Sequence, residues 1–170
     1  MTKRIVVGVD GSVGSKAALE YAFDEASRRD ASVYVITVFQ SAGMFGAHYG
    51  MPISISEEDT AGQIRCQIQA LIDELLVGRQ TKPEVRLSVR TGWSPAQILA
   101  REAEAAELLV VGHRGLGGFS SALLGSVSLQ CVLHASCPVV VVRLPRARAL
   151  EAEKDRLPAT EAVPGYAASG

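Results

Sequence analysis

The sequence predicts an α/β fold: a single doubly wound domain, a five-stranded parallel sheet with helices on both faces. Three observations point there. Short segments rich in β-branched residues recur along the chain and are apolar nearly throughout, as strands buried on both faces are. Amphipathic helical patterns fill the gaps. The alternation runs βα, βα, βα, βα, β, and right-handed crossovers then wind helices onto both sides of the sheet.

The first strand is expected over residues 4–9 (RIVVGV), followed by a helix over 15–29 with Ala18, Ala22, Phe23 and Ala26 on one stripe. The second strand spans 32–39 (SVYVITVF). The connection 40–56 carries Gly43, Gly46, Gly50 and Pro52, and it reads either as a binding lid or as a solvated crossover. The helix over 57–77 has the clearest period, through Ile64, Ile68, Leu71, Ile72, Leu75 and Leu76. Ser56 is its N-cap, with Glu57, Glu58 and Asp59 on the positive helix end. Residues 85–91 alternate through Val85, Leu87 and Val89, so this strand lies nearer an edge. Ser94-Pro95 starts a third helix running to about Glu107. The fourth strand is 108–112, the fourth helix runs from Gly125-Ser126 to about Ala135, and Pro138 opens a last strand over 138–143. Residues 1–143 form the expected domain. Residues 144–170, with Pro145, Pro158, Pro164 and four charges of each sign, read as a partly flexible tail with a short helix over 147–157.

At 170 residues, with 48% hydrophobic and 21% charged, the composition is that of one ordinary globular domain. Lys plus Arg number 17 and Asp plus Glu 18, for a net charge of −1, which argues against a nucleic-acid partner. No apolar run approaches the ~18 residues of a membrane helix, and the stretch at 4–9 is too short for a secretory signal. The three cysteines, Cys66, Cys131 and Cys137, form no C-x-x-C. The expected location is the cytoplasm.

The informative segment is GHRGLGGFSSALLGS, residues 112–126, set between a strand and a helix. There a glycine-rich turn can present backbone N–H groups to an anion. Gly112 ends the strand; Gly115 permits a positive φ or a close approach to a ligand. Gly125 and Ser126 stand at the helix start, where unpaired N–H groups and the helix dipole favour negative charge. The Ser126 hydroxyl can bond a phosphate oxygen, cap the helix, or do both in turn. A second loop, Asp10-Gly11-Ser12, follows the first strand. If strands 1 and 4 are neighbours, both loops border the crevice where the winding reverses. A carboxylate suits ribose hydroxyls and repels phosphates, so Asp10 reads as a sugar contact; its other reading is an Asx turn beside helix 1. Arg114 reads as a phosphate partner or a solvated loop charge.

The segments VGVDGS, LLVVGHRGLGGFSSALLGSVS and CPVVVVR resemble the universal stress protein family. Gly112, Gly115, Gly125 and Ser126 match the G-2x-G-9x-G-[S/T] pattern of its ATP-binding branch, and the resemblance covers residues 3–143. It implies an adenine nucleotide alpha hydrolase-like fold with strand order 3-2-1-4-5. It implies that Asp10 holds ribose, that the Val38 backbone bonds the adenine edge, and that Val9 and Val111 line the pocket. Gly112, Arg114, Gly115, Gly125, Ser126, Val127 and Ser128 would supply phosphate contacts. The implied ligand is ATP, with AMP and cyclic AMP as alternatives, and Mg²⁺ is a candidate companion although no carboxylate is placed for it. In that strand order Val139 to Val142 form an edge strand, whose free backbone groups two-fold pairing with a second copy would satisfy. The family also implies homodimers. The tail folding over the edge is the alternative.

Other motifs fail. There is no P-loop G-x-x-x-x-G-K-[ST], no G-x-G-x-x-G after strand 1, no G-x-S-x-G elbow and no metal-spaced histidines among His48, His113 and His134. His113 lies in the phosphate loop and reads as a ligand contact or, in preference, a turn residue facing water; His134 reads as a dipole partner near a helix C-terminus, and Trp93 as a packing residue. No catalytic residue is assigned. The expected function is a cytoplasmic stress-response protein that binds ATP and regulates through the bound state. A slow ATPase or autophosphorylating enzyme using the same pocket, and an interaction module without nucleotide, are the rivals.

Overall fold

The computed structural model describes residues 3–41, 56–115 and 124–144. Within them the chain runs β1 (Arg4–Gly8), α1 (Val13–Arg29), β2 (Ser32–Phe39), α2 (Glu57–Leu76), β3 (Val85–Thr91), α3 (Pro95–Glu102), β4 (Leu108–Gly112), α4 (Ser126–His134) and β5 (Val139–Val142). The strands form one sheet in the order β3-β2-β1-β4-β5, every pair parallel, as anticipated. The lid reading of 40–56 falls at 42–55 outside the described residues, as does the tail beyond Leu144.

Alternation along the strands builds two cores. Ile5, Val7, Val33, Val35 and Val110 meet Leu19, Ala22, Phe23, Ile68 and Ile72 on the α1/α2 face. Val6, Ile36, Leu109 and Val111 meet Ala96, Leu99 and Cys131 on the α3/α4 face. Both faces are covered, which is why β1 and β4 read as continuous apolar runs. β3, at an edge, is half exposed as its alternation required.

Two helix boundaries differ from the sequence reading. α1 begins at Val13 rather than 15, because the Ser12 hydroxyl accepts from the Ser15 N–H at 3.2 Å and fixes the cap there. α3 stops at Glu102 rather than Glu107. Ala106 closes a turn onto the Ala103 carbonyl, and the Glu107 N–H donates to the Arg4 carbonyl at 2.9 Å, which draws the chain into the sheet. Ser56 and Ser94 cap α2 and α3 as expected, accepting from Asp59 and Gln97 N–H groups.

Candidate functional site

All five strands end on the same side, and the winding reverses between β1 and β4. The loop after β1 is locked by its own polar groups. Asp10 Oδ1 accepts from the Ser12 N–H at 3.0 Å, so the Asx turn is present. Ser15 Oγ accepts from the Asp10 N–H at 3.3 Å and donates to the Ser12 carbonyl at 2.9 Å. Gly11 holds the left-handed conformation, φ 82°, that the turn needs.

The loop after β4 comes down onto this turn, and glycines allow it. A Cβ on Gly112 would lie 2.6 Å from the Gly14 carbonyl carbon, and one on Gly14 would lie 2.6 Å from the Arg114 carbonyl oxygen. A Cβ on Gly115 would lie 2.3 Å from Asp10 Oδ2. Gly115 therefore serves close approach; positive φ among the described glycines belongs to Gly11 and Gly78. Gly14 was missed as a site residue: its contact partner lies 100 residues away in the chain.

The start of α4 is tied to β4 by two bonds. The Gly125 N–H donates to the His113 carbonyl at 2.8 Å, and Ser128 Oγ donates to the Gly112 carbonyl at 2.6 Å. Gly125 is the N-cap and makes no side-chain cap bond. Ser126 is thus the first helical residue rather than the cap, and it is exposed. Arg114 is half-buried. His113 is half-buried rather than facing water: its Nδ1 is buried without a hydrogen-bond partner among the described residues, and burial, with Arg114 and Arg143 nearby, holds the imidazole below its ordinary pKa.

A cleft of about 500 Å³ opens beside Asp10, lined also by Gly11, Thr37, Val38, Phe39 and the α2 residues Ile64, Gln67, Ile68 and Leu71. Backbone groups along β2 point alternately to its two neighbours. The Ile36 carbonyl accepts from Val9 N–H on the β1 side, and the Phe39 carbonyl from Gly92 N–H on the β3 side. The Val38 N–H and C=O therefore turn toward β1, two residues past the last register pair, Gly8↔Ile36. Asp10 joins this cleft to the glycine turn, since it lines the first and abuts Gly115 in the second.

The structure does not bring Val9 and Val111 onto one wall; they are buried in the cores on opposite faces of the sheet. Val127 and Ser126 line a smaller hollow of about 190 Å³ with Trp93, Ser94, Pro95, Ala96 and Gln130. Trp93 is 55% exposed, so it is not the packing residue expected. The α2 side of the larger cleft was also missed. Its stripe was legible as a core-facing pattern, with nothing in the period to say that its middle turns overhang a cleft.

The model of the universal stress protein family matches residues 1–143. A universal stress protein of Mycolicibacterium smegmatis is 39% identical over 141 residues, which cover 82% of this chain and 45% of the relative. The chain thus spans just under half the length of that relative. Among solved structures, the universal stress protein UspA from Lactobacillus plantarum superposes with a TM-score of 0.66 at 20% identity, covering 83% of this chain and 97% of that one. A universal stress protein solved in complex with cAMP gives a TM-score of 0.59 at 24% identity, covering 84% of this chain and 97% of that one. The match across β1, the glycine turn and β5, together with the sheet order, places this chain in the universal stress protein family.

Proposed function

We propose that the chain belongs to the ATP-binding branch of its family and is a nucleotide-dependent regulator of the cytoplasmic stress response. The observation that carries this is the position of Asp10, between a cleft of about 500 Å³ and the Gly115 turn. The base lies in the cleft with its edge on the Val38 backbone. The ribose hydroxyls donate to Asp10. The phosphates reach the first-turn amides of α4 at Ser126, Val127 and Ser128, where the N-cap offers no side-chain acceptor and the helix dipole favours an anion. Mg²⁺ is a candidate companion of the phosphates. The cAMP complex of a structural neighbour supports an adenine ligand. Hydrolysis is slow or absent, because rapid phosphoryl transfer needs an oriented water and Asp10 Oδ1 is already engaged by the Ser12 N–H. The chain pairs as a homodimer through the open edge of β5.

Calorimetric titration with adenosine, ATP, ADP, AMP, cyclic AMP and GTP tests the nucleotide reading. ATP is expected to bind, and Gly115→Val to abolish the phosphate-dependent part, because a branched side chain would fill the space against Asp10. Equal binding of adenosine and ATP by the native chain would remove the phosphate grip.

A further inference from the structure

Two polar side chains of the larger cleft play no part in the reading above, Thr37 and Gln67. The α2 residues at its wall, Ile64, Gln67, Ile68 and Leu71, fall at i, i+3, i+4 and i+7, one face of the helix. Three are aliphatic. The carboxamide of Gln67 interrupts the stripe, and among the described residues no hydrogen bond engages it. Across the cleft stands the end of β2 with the Val38 backbone groups; Asp10 and Gly11 complete the rim.

We propose that Gln67 is the base-reading side chain of this cleft and selects adenine over guanine. The assignment rests on the nucleotide reading and names its specificity. A purine has two flat apolar faces, which suit Ile64, Ile68, Leu71 and Phe39, and a polar rim. With the N1/N6 edge of adenine on Val38, the N6/N7 edge remains. It offers a donor beside an acceptor, and a carboxamide answers with one of each. Guanine offers two acceptors there, N7 and O6, and the Gln67 carbonyl would face one of them. A bidentate pair of this kind discriminates by ~10- to 100-fold.

The test is titration of the full chain and of Gln67→Ala and Gln67→Arg with ATP and GTP, with a thermal melt of each. Position 67 is exposed, so the melts should coincide. The native chain is expected to prefer ATP by at least ~10-fold, and Gln67→Ala to lose several-fold of that preference by weakening ATP, the remainder being held by the Val38 backbone on the N1/N6 edge. Gln67→Arg, which presents only donors, should move the preference toward GTP. An ATP-to-GTP ratio unchanged in Gln67→Ala, with both proteins binding ATP, overturns the assignment of Gln67 and leaves the nucleotide reading standing. A native chain that binds neither nucleotide overturns the nucleotide reading itself.

Discussion

Thr37 faces the α1/α2 core near the end of β2, 5% exposed, and its hydroxyl is buried with no hydrogen-bond partner among the described residues. A buried hydroxyl left unpaired costs ~1–3 kcal/mol, whereas an isosteric methyl at the same place costs nothing in desolvation. Thr37→Val should therefore stabilise the ligand-free protein by about 1 kcal/mol, raising Tm by about 2–4 °C in a thermal melt. A Tm that stays level or falls would show that the hydroxyl has found a partner. Such a residue cannot be picked from sequence, because threonine is an ordinary strand residue and its cost arises from the helices packed over it. The Asx turn at Asp10 and the close approach at Gly112 were legible, because local order fixes them: a turn after a strand, a glycine where backbones must meet. Gln67 was not, because the cleft joins positions about 30 residues apart and only the packing of α2 over β2 creates it.

At the scale of the element, the four described helices begin in two ways. Ser12, Ser56 and Ser94 accept from an N–H in the first turn of α1, α2 and α3. Gly125 opens α4 with no such bond, although Ser126 stands next to it. The first three hydroxyls stabilise their helices; at α4 no capping side chain meets the first-turn amides among the described residues. Ser12→Ala should cost ~1 kcal/mol of stability, and Ser126→Ala should leave stability within ~0.5 kcal/mol while weakening ATP. Chemical denaturation and calorimetry on the same pair of variants separate the two effects. A destabilised Ser126→Ala would show that this hydroxyl serves the fold. The sequence reading had left Ser126 open between cap and ligand, since S/T at a helix start suits both. It also carried α3 on to Glu107, because alanine-rich sequence has helical propensity to spare; the bond from Glu107 N–H to Arg4 that ends it early spans the whole domain.

For the whole molecule, strand order was legible only through resemblance, while strand burial was legible directly, and the two meet at β5. Its four valines are half-buried and among the described residues it pairs with β4 alone. Leu109 N–H donates to the Pro138 carbonyl and His113 N–H to the Val142 carbonyl, so the backbone groups of even-numbered residues face β4. Those of Val139 and Val141 face the open side. The neighbouring flank of α4 is apolar too: Leu129, Val132 and Leu133 are 46%, 48% and 66% exposed. Ser126, Val127 and Gln130 turn toward α3, and Cys131 toward the sheet, which puts Val132 on the side away from α3, the side of β5, and Leu129 and Leu133 on the outer face of the helix. An open strand edge beside an apolar flank favours association, and the proposed two-fold pairing covers both at once. Val141→Pro removes an edge N–H without touching the bonds to β4, so it should convert a dimer into a folded monomer at micromolar concentration, read by analytical ultracentrifugation. Val140→Pro would instead cut the β4–β5 ladder and should lower Tm more. A monomeric native chain, or a dimer indifferent to Val141→Pro, would move the contact away from β5.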